Sequence, residues 1–152
     1  MPFEPDHGEV VYRGEAVVEL LDPTGLAPIN IIKATDAFKV KVAITFKGGM
    51  AGGHLNNAGV EWLLQAFVDN IGPPWHQEKQ IGADKAVVWN TFTTNPGPPA
   101  FYTYSIEIDV PAGTLLKGLY RLGVVITSRM VSDHTISGDT YGFTEGPAFQ
   151  IA

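Results

Sequence analysis

The chain of 152 residues contains no cysteine. This excludes disulfide bonds, catalysis by a thiolate and zinc sites built from cysteine. Charged residues make up only 17% of the chain and hydrophobic residues 45%, which argues against disorder. The formal net charge is −6. Because nucleic-acid binders use a basic face to displace counterions from phosphates, nucleic acid is disfavoured as a partner, and so is an anionic membrane surface.

Long apolar runs are missing as well. No run reaches the roughly 18 residues that a membrane-spanning helix needs, so we expect no membrane insertion. Residues 1–7 carry neither the basic nor the apolar segment of a secretory signal. We therefore expect a cytoplasmic protein, with export without a leader as the alternative. A chain of this length is expected to form one domain, residues 1–152.

What the sequence does contain is glycine, proline and alternating patterns. Seventeen glycines and eleven prolines punctuate short apolar runs, as an all-β protein with many turns requires. In residues 38–46, apolar side chains alternate with Lys and Thr, and residues 102–110 alternate in the same way. The predicted strands are 9–21, 38–46, 60–69, 86–93, 101–110, 119–128 and 140–151, with a possible short strand at 29–33. Gly146 and Pro147 predict a bulge or an edge position in the last strand.

The segment from Leu115 to Ile126 allows a comparison with known folds. Gly118 favours a turn, and Tyr120 then begins an alternating apolar run. This arrangement resembles the tyrosine corner of immunoglobulin-like sandwiches, in which the hydroxyl of a Tyr near the start of strand F closes the corner. Trp62 falls on the third strand, where such domains often bury a tryptophan.

The chain thus resembles the immunoglobulin-like and fibronectin type III-like sandwiches over most of its length. The resemblance implies a single antiparallel β-sandwich of seven to eight strands with Greek-key connections. Val42 or Ile44 would then pack with Leu122 in the space that antibody domains fill with a disulfide. The fold implies no particular function.

Residues 60–68 are less regular. Read as a strand, they place Trp62 and its alternating neighbours inward and Leu63 and Phe67 on the outer face. A helix fits the local spacing too, but Trp, Val and Phe favour a strand. Two large apolar side chains on an outer face need a cover, since soluble monomers avoid such patches. A neighbouring strand or helix provides it, or a partner molecule does.

Loop residues offer three further hypotheses. Strand alternation places loops 47–59, 94–100 and 129–139 at one end of the sandwich, and loops 22–37, 70–85 and 111–118 at the other. His54 and His134 would share the first end with two aspartates, but their spacing fits no metal-ligand pattern. Ser132, Asp133 and His134 supply the residue types of a nucleophile, an orienting group and a base, but neighbours in one loop rarely have the required geometry. Trp75, beside two prolines, could stack on a sugar ring or anchor a partner.

We therefore expect a non-enzymatic module that mediates protein–protein association, as a self-assembling or accessory subunit. The partner would be a second copy or another protein, with a glycan as the alternative ligand. No catalytic residue, metal site or cofactor is predicted. The candidate partner-binding residues are Leu63, Phe67, Trp75, His54 and His134.

Overall fold

The computed structural model describes the backbone of residues 2–5, 13–47, 60–72, 78–88, 93–95 and 101–152. It describes the side chains of residues 15–45, 61–72, 78–87, 103–136 and 142–152. Every regular element in these ranges is a strand: β1 (Pro2–Pro5), β2 (Arg13–Leu21), β3 (Ile31–Ile32), β4 (Phe38–Lys47), β5 (Val60–Asn70), β6 (Lys79–Val88), β7 (Thr93–Asn95), β8 (Phe101–Val110), β9 (Gly118–Met130) and β10 (Ser137–Ile151). A search of the same residues finds no helix that could cross a membrane.

The strands form two sheets around one apolar core, so the predicted all-β sandwich is confirmed. Sheet A has the order β2-β4-β8-β7, and sheet B has the order β6-β5-β9-β10. The short strand β1 pairs with β2 and with β10 and so links the sheets. A second short strand, β3, runs parallel to the end of β10. The predicted count of seven to eight strands is not confirmed, because the described residues contain ten.

Alternation explains how the core is built. In β4 and β9, every second side chain is buried, and the residues between them are more exposed. From Trp62 onward the same is true of β5, where Trp62, Leu64, Ala66 and Val68 are buried and the residues between them are more exposed. This pattern confirms that β5 is a strand, because a helix would bury residues at a spacing of three and four. Val42, Ile44 and Leu122 all lie in the core, where we expected them.

The corner before β9 has the hydrogen bond expected from its sequence. The hydroxyl of Tyr120 donates to the carbonyl oxygen of Leu116 at 2.8 Å. The Tyr120 ring stacks on Phe149 of β10, with 5.6 Å between the ring centroids. Burial raises the pKa of the Tyr120 hydroxyl, so it remains a hydrogen-bond donor at neutral pH.

Two elements differ from the prediction. The strand predicted at 86–93 lies at Lys79–Val88, because β6 contains a bulge that interrupts its alternation. The last strand, predicted at 140–151, begins earlier, at Ser137; β10 pairs with β9 on one side and, on the other, with β1 at Thr140 and Tyr141 and with β3 at Gln150 and Ile151. The bulge predicted in this strand is confirmed as a register shift between Glu145 and Ala148.

The β6 bulge brings this edge strand against sheet A. Its register with β5 shifts between Leu64 and Ala66, opposite Gly82, which has φ of +70°. A β-carbon at Gly82 would lie 2.5 Å from Cγ2 of Ile108 and 2.8 Å from the carbonyl oxygen of Asp109. Only glycine allows this backbone conformation and this close approach to β8 together.

Candidate functional site

The two apolar residues singled out on β5 lie on the outer face of sheet B. Leu63 is paired with Ala86 and Thr127, and Phe67 with Gln80 and Gly123. Both side chains are half-buried. Strand β6 continues the sheet beside β5, so the shielding comes from neighbours on the same face.

A groove of about 710 Å³ runs along this face beside Phe67. Phe67 and Phe143 line it, together with Gly123 on the strand between them. A β-carbon at Gly123 would lie 2.8 Å from Cε2 of Phe143, so the ring lies directly on the glycine. Phe143 remains 44% exposed, although it is one of the larger apolar side chains of the face. We call this feature the aromatic groove.

The aromatic groove is lined by more negative than positive side chains. Asp69, Glu78 and Glu145 supply three carboxylates, and Arg121 supplies one guanidinium. Arg121 stands opposite Asp69 on the neighbouring strand, and Glu145 stands opposite Gly123. The groove therefore combines two aromatic rings with an excess of negative charge.

A row of exposed aliphatic side chains crosses the end of the same face. Leu119 and Ile31 both pair with Gln150, from opposite sides, and are 50% and 69% exposed. Ile71, 38% exposed, follows β5, and its amide donates to the carbonyl oxygen of Leu119. We call Ile31, Leu119 and Ile71 the apolar row. Asp69 and Arg121, which line the aromatic groove, border this row: Arg121 is two residues from Leu119 along β9, a span of about 7 Å.

At the other end of β5, a buried carboxylate organises the loop between β9 and β10. Oε1 of Glu61 accepts a hydrogen bond from Nε of Arg129 at 2.6 Å and lies 2.9 Å from Nε2 of His134. Alternation places Glu61 on the outer face with Leu63 and Phe67, but it is only 7% exposed. The pairing with Arg129 and His134 explains this burial, because a buried carboxylate needs partners.

The other loop predictions lie outside the described residues. His54 belongs to residues 48–59 and Trp75 to residues 73–77, so neither the two-histidine site nor the sugar-stacking tryptophan is described. His134 is described and contacts Glu61. Among the described side chains, no group of three or more histidines and carboxylates is arranged to hold a metal ion.

Sequence reasoning missed three residues of the face, Gly123, Phe143 and Glu145. Phe143 and Glu145 do alternate with Thr144 in the last strand, which indicates a common outer face. The local pattern does not predict the register that places them beside Gly123 and Phe67, because the sequence of one strand does not determine which distant strand it pairs with.

Comparisons with known proteins add little. No protein-family model matches the chain, and no curated protein does. One solved structure that resembles it is a β-glucosidase from Listeria innocua in complex with glucose, with a TM-score of 0.39 and 9% sequence identity. The match covers 91% of this chain but only 17% of the glucosidase.

Proposed function

We propose that this protein is a non-enzymatic association module whose copies assemble through the outer face of sheet B. The observation that carries the proposal is the apolar row: Ile31, Leu119 and Ile71 expose between 38% and 69% of their surface, with only Gln150 between Ile31 and Leu119. Scattered exposed apolar side chains are ordinary, but a cluster of them on one sheet face is typical of an interface.

The composition of the row favours a second copy of the chain as its partner. The row and Gln150 between its members contain no charged side chain. Because each copy carries a net charge of −6, an uncharged surface is where two copies can approach with the least repulsion. A two-fold contact would place apolar row against apolar row, which is the self-complementary geometry of most homodimers.

The same proposal includes an immunoglobulin-like arrangement of the strands. Its support is the pairing of β4 with β2 and β8 in one sheet and of β9 with β5 and β10 in the other. The hydroxyl bond of Tyr120 and the burial of Trp62 agree with it. In such sandwiches, an outer sheet face is a surface on which interaction residues can change without disturbing the core.

The test is the mass of the protein in solution, measured by light scattering over a wide range of concentration. We expect wild-type protein to form a dimer or larger oligomer, and Ile31→Glu/Leu119→Glu to be a folded monomer. The matched control is Val17→Glu, because Val17 is 62% exposed on β2 in sheet A, away from this face.

The control should keep the wild-type mass, since its new charge lies away from the proposed interface. Circular dichroism and urea unfolding establish that each variant is folded. A wild-type protein that stays monomeric at every concentration would contradict self-association, and so would an equal loss of mass in the control.

A further inference from the structure

We propose that the aromatic groove binds a lysine or arginine side chain presented by a protein other than this chain. This goes beyond self-association and does not depend on it, because none of the three residues of the apolar row lines the groove. The groove is large enough, at about 710 Å³, to take one long side chain and part of its backbone.

Charge is the first argument. Asp69, Glu78 and Glu145 line the groove against the single guanidinium of Arg121. One cationic side chain would reduce this excess from two negative charges to one, whereas phosphate or an acidic peptide would meet net repulsion. The whole chain is acidic too, so its long-range field also attracts a basic partner.

The aromatic rings are the second argument. A β-carbon at Gly123 would lie 2.8 Å from Cε2 and 3.1 Å from Cζ of Phe143, so one edge of this ring rests on the sheet. Rings of this kind attract ammonium and guanidinium groups, and they also pack against the methylene stems of lysine and arginine. Phe67 provides a second apolar wall of the groove. It lies on β5, and β9 separates it from Glu145 on β10.

The same charges argue against a second copy of this chain as the occupant. Two copies meeting groove to groove would bring six carboxylates together with two guanidinium groups, which doubles the excess on one copy. Such a contact would be weakened by like-charge repulsion. A basic segment of a different protein meets no such cost.

The experiment is an NMR titration of the full chain with short capped peptides as probes. The first probe is acetyl-Leu-Arg-Leu-amide, and the second replaces Arg with citrulline, which keeps the shape and removes the charge. We expect the arginine peptide to shift the amide signals of Gly123 and Phe143 and to bind roughly three- to ten-fold more tightly than the citrulline peptide at low salt.

Variants locate the binding. Glu145→Gln and Phe143→Ala should each weaken the arginine peptide roughly three- to ten-fold. The matched control is Glu19→Gln, an exposed carboxylate on β2 of sheet A, which should bind as wild type does. Urea unfolding checks that Phe143→Ala is folded, and Glu145→Gln remains informative if it is not.

Three outcomes would overturn the proposal. The first is equal binding of the arginine and citrulline peptides, and the second is a response to Glu19→Gln as large as that to Glu145→Gln. The third is a glycan groove: maltohexaose shifts the Gly123 and Phe143 signals and the arginine peptide does not. Repeating the titration on the Ile31→Glu/Leu119→Glu variant tests peptide binding without self-association, so the two proposals are tested independently.

Discussion

Gly82 allows the bulge in β6 because it has no side chain. It combines φ of +70° with contacts that leave no room for a β-carbon against β8. We expect Gly82→Ala to lower the free energy of unfolding by about 2–4 kcal/mol, of which about 1–2 comes from the left-handed backbone and the rest from overpacking. Urea unfolding followed by fluorescence measures this loss.

Gly113 provides the control for backbone strain alone. Its φ is +75°, but nothing lies within 4 Å of its absent β-carbon. Gly113→Ala should therefore cost only about 1–2 kcal/mol. If the two variants lose equal stability, the close approach of β6 to β8 contributes nothing, and our account of this bend is wrong.

At the scale of elements, the cluster formed by Glu61, Arg129 and His134 ties β5 to β9 and to the loop that follows it. Removing Arg129 alone leaves the buried carboxylate of Glu61 with fewer partners, which is costly, whereas removing Glu61 and Arg129 together is not. We expect Arg129→Leu to lower the free energy of unfolding by about 2–3 kcal/mol, and Glu61→Leu/Arg129→Leu to stay within about 1 kcal/mol of wild type.

A double-mutant cycle with Glu61→Leu as the second single variant measures the coupling by urea unfolding. The side chain of Arg129 is 27% exposed. We therefore expect a smaller loss of unfolding free energy than the loss of a fully buried ion pair would cause. Strictly additive costs of the two single changes would mean that the 2.6 Å contact adds no stability.

At the scale of the whole molecule, three aspartates should contribute to the loss of stability at acidic pH. The pKa of Asp22 is lowered chiefly by a hydrogen bond from Thr24, that of Asp109 by one from Lys39, and that of Asp133 by one from Thr135. Since each pKa is lower in the folded state, each carboxylate contributes stability above its unfolded pKa of about 3.9. That contribution is lost as the pH falls through the folded pKa.

We therefore expect the free energy of unfolding to decrease when the pH drops below about 4, because these groups then take up protons. The ¹³C chemical shifts of the side-chain carboxyls, followed against pH, report the three pKa values directly. Thr24→Val should raise the pKa of Asp22 toward its ordinary value and leave that of Asp133 unchanged. An Asp22 that titrates at or above the ordinary value in the wild type would contradict the role of the Thr24 bond.

The whole sandwich was easier to predict than its site. Alternation in β4, β8 and β9 is local, and it correctly indicates an all-β fold and most of the core. Strand β6 was misplaced because Gly82 and the bulge interrupt its alternation. The burial of Glu61 and the groove between Phe67 and Phe143 were missed for a different reason: both arise from pairing between strands far apart in sequence, which no local pattern contains.

The pairing of β3 with the end of β10 has a kinetic consequence. It joins Ile31 to Gln150 and Ile32 to Ile151, while β1 joins the start of the chain to the other half of the same strand. Contacts between such distant segments require large loops to close, and proteins dominated by them fold in milliseconds to seconds. During that search, strands β9 and β10 expose their apolar inner faces and unpaired backbone edges, so dilution and chaperones should help the newly made protein to fold before it aggregates.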